Sequence, residues 1–391
     1  MATPKWTEKG PSPILSGGNV RLPSSPEAKG GPQTGAVQVV LNHPTDANIL
    51  WAGSVNGGIW KSTNANTAAP TWTPVSDTAP SKSITSLAID PKNEKKLVAG
   101  IGKKSSLRGL SGELTGLLLS EDGGDTWKAI GQEPIAKNGL SGLDIRGVAI
   151  SGDTILAAAD TLVLDNGDLQ FSKGIYRSTD KGKTFAPVEG LPASLQFKDL
   201  EIDPSNPQRF YAAATGAEGG IFRSDNSGET WEKMNIPNSG IRSGSNTRNI
   251  ELAIQNVTGA GKSAVYFGVV NSGVVVNPDN NKKGNQLVTL FRLNDDDKNW
   301  TSLALPTSQD KDIDNGKEYT FGLHPGGQGN DHFGLAVDPK DPNIIYAAGD
   351  RQPTYNFKGK ESSIGAVSWT ARIFKGQVNG GTVSWEQVTD K

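Results

Sequence analysis

The chain has 391 residues, with 39 Lys and Arg against 41 Asp and Glu and a net charge of −2. That balance excludes a protein built to coat nucleic acid, and a mean hydropathy of −0.44 with no 18-residue apolar run excludes a membrane-spanning helix. There is no cysteine, hence no disulfide, thiol nucleophile or thiolate metal site, while 48 glycines, 23 prolines and 9 tryptophans predict tight turns between short, ring-anchored strands.

In chain order, Met1 to Trp6 carry no apolar stretch of the secretion-signal kind. Trp6, Thr7, Glu8, Lys9 and Gly10 read as the last strand of a repeat unit that lacks its first three, because they match later unit ends such as Trp72-Thr73-Pro74. Residues 12–35, rich in Ser, Pro and Gly, read as an irregular connector. From residue 37 two phrases alternate. One is an apolar strand, a Pro, Asn or Asp turn and a second strand, as in residues 40–53, 87–100, 200–213 and 335–348. The other is Ser-x-Asp-x-Gly-x-Thr-aromatic. It reads Ser120, Asp122, Gly124, Trp127, then Ser178, Asp180, Gly182, Phe185, then Ser224, Asn226, Gly228, Trp231. A looser copy starts at Ser62 and Asn64, and two degenerate copies end at Trp300 and Trp385.

Each pair of phrases supplies four strands, and the serines recur every 46 to 58 residues. Four-stranded units of this length predict an all-β β-propeller with essentially no helix. The units run over about 37–77, 83–131, 144–190, 198–236, 248–305 and 332–391, after an N-terminal segment 1–36. Six full units and one orphan strand leave both a six-bladed and a seven-bladed ring open. In the seven-bladed case the missing strands lie outside these residues, and the free edge predicts self-association, a partner strand or a longer chain.

In the second phrase a short polar side chain bonds its own turn amides, and Gly supplies positive φ. Asp122, Asp180 and Asn226 are therefore expected to be turn staples and Trp127, Phe185 and Trp231 packing rings. Propeller ligands sit over the central channel, near the start of each inner strand. Those positions hold Asp144, Arg146, Lys198, Asp199, Arg248, Asp331 and His332, a set suited to a polar or acidic ligand. Long connections at 103–115, 160–173, 271–287, 305–331 and 350–371 are expected to be loops that carry binding. The last brings Arg351, Tyr355, Phe357 and Trp369. Metal chemistry is thin: three His, no Cys, and only the acidic run at Asn294 to Asp297 as a Ca²⁺ candidate. No other cofactor is expected.

The Ser-x-Asp-x-Gly-x-Thr-Trp phrase resembles the Asp-box, and the chain over about 37–391 resembles the Asp-box (BNR-repeat) propeller superfamily. That superfamily contains sialidases, xyloglucanase-type glycoside hydrolases, sortilin-type receptors and bacterial surface proteins. The run from Gly326 through His332 and on to Asp350 and Arg351 is similar to propeller modules of large secreted bacterial, often cyanobacterial-type, proteins. The resemblance implies an exported or cell-surface location, a glycan or protein partner, and Asp-box hairpins on the outer rim. A sialidase would need three Arg and an Arg-Ile-Pro segment, which is absent. An endo-glycanase would need two carboxylates, for which Asp144, Asp199 and Asp331 are available. The expectation is a non-catalytic binding or scaffold propeller, with an Asp-box glycoside hydrolase as the alternative.

Overall fold

The computed structural model describes residues 36–103, 111–163, 169–170, 173–242, 246–255, 263–278, 281–293, 298–311, 317–353 and 371–389. The orphan strand at Trp6, the acidic run 294–297, Tyr355, Phe357 and Trp369 lie outside them. Blade one is β1 (Val37–Asn42), β2 (Leu50–Ser54), β3 (Gly58–Ser62) and β4 (Thr73–Pro74); blade two is β5 (Ile84–Asp90), β6 (Asn93–Ile101), β7 (Leu117–Ser120) and β8 (Lys128–Ile130). Blade three is β9 (Leu143–Ser151), β10 (Thr154–Val163), β12 (Gly174–Ser178) and β13 (Ala186–Pro187), with β11 (Leu169–Gln170) added on β10. Blade four is β14 (Gln196–Ile202), β15 (Phe210–Thr215), β16 (Gly220–Ser224) and β17 (Glu232–Lys233). Blade five is β18 (Thr247–Ile254), β19 (Val265–Asn277), β20 (Lys282–Leu293) and β21 (Trp300–Leu303). A hairpin of β22 (Ser308–Lys311) and β23 (Glu318–Phe321) precedes blade six, which is β24 (Gly334–Val337), β25 (Ile344–Ala348), β26 (Ile373–Asn379) and β27 (Thr382–Gln387). The six repeat units thus form six antiparallel four-stranded blades of a β-propeller. A 3₁₀ turn at Ile135–Lys137 is the only helical element among the described residues.

The strand sequences follow from where each strand lies. In blades two to five the second strand has a blade against each face, so it is apolar on both, with runs of alanine in β10 and β15. β15 is buried at every residue, with Ala212, Ala213 and Ala214 letting the sheets approach. The fourth strand lies at the rim, where β13 and β17 are two exposed residues each. Three segments expected to be loops carry strand: within 160–173, β10 runs on to Val163 and pairs with β11. Residues 271–277 and 282–287 extend the β19–β20 hairpin, paired from Asn271 with Gln286 and on to Asn277 opposite Lys282. Their β-branched valines, Val274, Val275 and Val276, favour a pleated strand over a coil. Part of 305–331 forms β22 and β23, tied to blade six by Arg372 Nη2 donating to Ser308 Oγ at 2.6 Å.

The Ser-x-Asp turns are held by short side-chain hydrogen bonds. Ser120 Oγ donates to Asp122 Oδ1 at 2.8 Å and accepts from Gly124 N at 2.8 Å, while Thr126 N donates to Asp122 Oδ1 at 3.0 Å. Ser178, Asp180, Gly182 and Thr184 repeat the pattern at 2.8, 2.9 and 3.0 Å, and Ser224, Asn226, Gly228 and Thr230 at 2.9, 2.9 and 3.0 Å. Partial burial pulls the carboxyls of Asp122 and Asp180 upward, but the Thr, Ser and amide donors outweigh it and bring both down to about 2. The ring Nε1 of Trp127 and of Trp231 donates to the carbonyl of Gly124 and Gly228 respectively, each at 3.2 Å, and Phe185 is fully buried. The turns also join blades: Lys61 donates to Gly123 O and Asp125 Oδ1 of the next blade at 2.7 Å each, and Arg177 Nε to Ser227 O at 2.9 Å.

Candidate binding mouth

The inner strands carry a shared irregularity. Pairing with the second strand skips one residue between Val37 and Val39, Ile84 and Ser86, Phe197 and Asp199, and Thr247 and Asn249. In blade three, Gly147 and Ile145 pair with successive alanines, Ala158 and Ala159, so Arg146 is skipped. The skipped residues are Gln38, Thr85, Arg146, Lys198 and Arg248. A bulge re-aims the extra side chain and bends the strand. Three cations therefore occupy the same structural position in consecutive blades three, four and five. The sequence had singled out all three, but not the device that aligns them.

Their neighbours differ. Arg146 Nη2 donates to Asp144 Oδ2 at 2.7 Å and lies 3.7 Å from Asp160 Oδ2. Asp144 is buried, and its other oxygen accepts Lys103 N at 2.7 Å, which clasps the end of β6 to β9. Burial pushes the Asp144 carboxyl up, against the pull of the Arg146 charge. Lys198 is half-buried and Arg248 exposed. Asp199 is also spent on a clasp: Oδ1 accepts Leu200 N and Oδ2 accepts Leu252 N of blade five, both at 2.8 Å.

Sequence reasoning passed over two carboxylates here. Glu201 lies opposite Tyr211 on the same face of blade four as Asp199, and burial, then the charges of Asp199 and Glu251, push its carboxyl well up. Glu251 Oε1 accepts Asn249 Nδ2 at 2.7 Å. A signal was present: the equivalents of Glu201 in four other units are Ala88, Ala149, Ala253 and Ala336.

The motif from Gly326 to His332 is a loop held by Asp350. Its Oδ1 accepts Gly326 N at 3.1 Å and its Oδ2 accepts Gln328 N at 2.9 Å. Asn285 ties the same loop to blade five through Nδ2 to Asn330 Oδ1 at 2.7 Å. Asp331 and His332 are exposed on it, Asp331 Oδ2 accepting Asn330 Nδ2 at 2.6 Å, and Arg351 is half-buried beside it. Beneath the loop, His324 is fully buried, edge-on to Phe333 with ring centroids 5.7 Å apart, and neither ring nitrogen has a hydrogen-bond partner among the described residues. Burial holds its imidazole down at about 4.

A cleft of about 410 Å³ lies away from this mouth, on the rim between blades two and three, lined by Glu121, Lys128, Ile130, Gln132, Lys181 and Lys183. Among the described residues no group of three or more His, Cys, Asp or Glu side chains is placed to hold a metal ion.

The fold and its inner-strand bulges define a β-propeller, and solved structures agree. The chain is similar to the GH74 xyloglucanase of Xanthomonas campestris, at 16% identity over 90% of this chain and 45% of that one, with a TM-score of 0.55. It is similar to the GH74 enzyme of Niastella koreensis at 17% identity over 91% and 45%, TM-score 0.55, and to YCF48 from Cyanidioschyzon merolae at 13% identity over 91% and 87%, TM-score 0.47. The chain spans less than half the length of the two GH74 chains, and the likeness to those two shows the fold alone. No family model and no curated protein matches it.

Proposed function

We propose that this is a non-catalytic binding propeller of the Asp-box type, exported or displayed at a bacterial cell surface, whose mouth takes an anionic group of a protein or glycan partner. The alignment of Arg146, Lys198 and Arg248 at one bulge position in three consecutive blades carries this reading. Repeated cations on a rigid arc offer several charge-assisted contacts to a string of carboxylates without ordering cost in the scaffold. Asp144 and Asp199, available to a hydrolase by sequence, are each engaged in a clasp between neighbouring blades.

The second reading is a glycoside hydrolase. The gathering of Glu201, Asp199 and Glu251 on the neighbouring inner strands β14 and β18 favours it, because glycoside cleavage uses a pair of carboxyl groups. Poly-L-glutamate titrated calorimetrically into the chain, together with a screen of fluorogenic glycosides and polysaccharides, separates the two. The expected result is salt-sensitive binding that weakens about tenfold in Arg248→Ala, and no turnover. Turnover abolished in Glu201→Gln, without binding of the polyanion, would establish the hydrolase instead.

A further inference from the structure

Each seam between blades follows one packing rule. The face of a blade that looks back presents an inner-strand residue and a third-strand aromatic or leucine: Leu87 and Leu118, Val148 and Tyr176, Leu200 and Phe222, Leu252 and Phe291. The face that looks forward presents a large residue of the second strand: Trp51, Val98, Leu156, Tyr211 and Tyr266, none more than 1% exposed. Apolar clusters join one to two, two to three, three to four, four to five and five to six. Among the described residues none joins six to one.

The register shows what both free faces hold. On blade one, Val40 pairs with Ala52 as Leu87 pairs with Ala99 and Leu200 with Ala212, so Val40 is the residue that looks back. It is 59% exposed, where its counterparts Leu87, Val148, Leu200 and Leu252 are at most 8%. Val37 is 49% exposed, and Trp60, the counterpart of Tyr176 and Phe222, is half-buried. On blade six the forward-looking residues are Tyr346 and Ile373, both half-buried, although the matching Tyr211 and Ile221 are fully buried. Lys375 stands where Lys61 and Arg177 reach the turn of the following blade, and it has no hydrogen bond or ion pair among the described residues.

We infer that this seam receives a seventh blade of the same repeat type, supplied by polypeptide outside these 391 residues. The chemistry of the occupant follows from the two faces. Its backward face needs a Leu or Val on the inner strand and an aromatic on the third to cover Tyr346 and Ile373. Its forward face needs a large second-strand residue to cover Val40 and Trp60. Its Ser-x-Asp turn offers a carbonyl and a carboxylate to Lys375. The inference is independent of what the mouth binds.

The absence of cysteine makes the test clean. Val40→Cys and Tyr346→Cys, each in the full chain, are expected to react with a small thiol reagent far faster than Val39→Cys, since Val39 packs on blade two. Appending a second copy of residues 196–236 after Lys391 should slow both reactions at least about tenfold. Protection of Val40→Cys in the parent chain, or unchanged reactivity after the extension, would overturn the inference. So would an intermolecular disulfide ladder in the Val40→Cys, Tyr346→Cys double variant, since it would assign the seam to a second copy of the chain.

Discussion

Lowering the pH from 6.5 to 4 is expected to cost the folded chain on the order of 3 kcal/mol through His324 alone. In the folded state burial holds this imidazole at about 4 against an ordinary 6.5. Between those values the unfolded chain binds the proton and the folded chain does not, so stability falls as pH falls. Above 6.5 both states are neutral at this residue and the dependence vanishes. Below 4 both are charged and no further loss follows. Glu201 works in the opposite sense: its raised carboxyl binds a proton more readily in the folded state, so it adds stability as pH falls towards its ordinary range. The difference between wild type and His324→Gln in urea unfolding across pH 4 to 7.5 isolates the histidine. A difference that grows by about 3 kcal/mol towards pH 7 supports the account, and a flat difference contradicts it.

Gly228→Ala is expected to destabilise by about 2–5 kcal/mol, from backbone strain together with overpacking. Gly228 has φ +76°, a region that costs an L-residue with a Cβ. A Cβ there would come within 2.7 and 2.8 Å of Leu156 Cδ1 and Cδ2. Leu156 is fully buried in the cluster between blades three and four, so it has little room to withdraw. The backbone amide of this glycine also caps Ser224 Oγ at 2.9 Å, which fixes its position further. Thermal unfolding by calorimetry would show the loss. A neighbouring control, Glu229→Ala, lies exposed on the same turn and should change stability by less than about 0.5 kcal/mol.

What was legible in the sequence was whatever repeats. The Ser120, Ser178 and Ser224 phrases fix three hairpins through bonds within five residues, so local spacing was enough to draw them. Arg146, Lys198 and Arg248 were legible from their place near the start of each inner strand, but the bulge that makes them equivalent depends on pairing with a second strand and leaves no local mark. Glu201 stands as a carboxylate in a column of alanines, but it lies deep within β14 and not at the strand start where channel-facing ligands are expected. The valines of 271–287 were hidden by surrounding Asn, Gly and Lys, and they form strand only because the β19–β20 hairpin carries the pairing outward. His324 lies in a connection with no counterpart in the other units, so no column could expose it. The open seam was hinted at by Trp6. Which faces it leaves bare is a property of register, read from Val40 and Tyr346 once the pairs were known.

Hydrogen–deuterium exchange of the full chain, read peptide by peptide along the inner strands, tests the central claim most directly: that six blades pack in series and the first and last each keep a bare face. The amides of β14 and β9, covered by a blade on each side, should exchange slowest. Those of β1 and β24 should exchange markedly faster, although they pair with β2 and β25 just as the others pair with their neighbours. Protection of β1 and β24 equal to that of β14 would mean that the seam is already closed, and the account would fail.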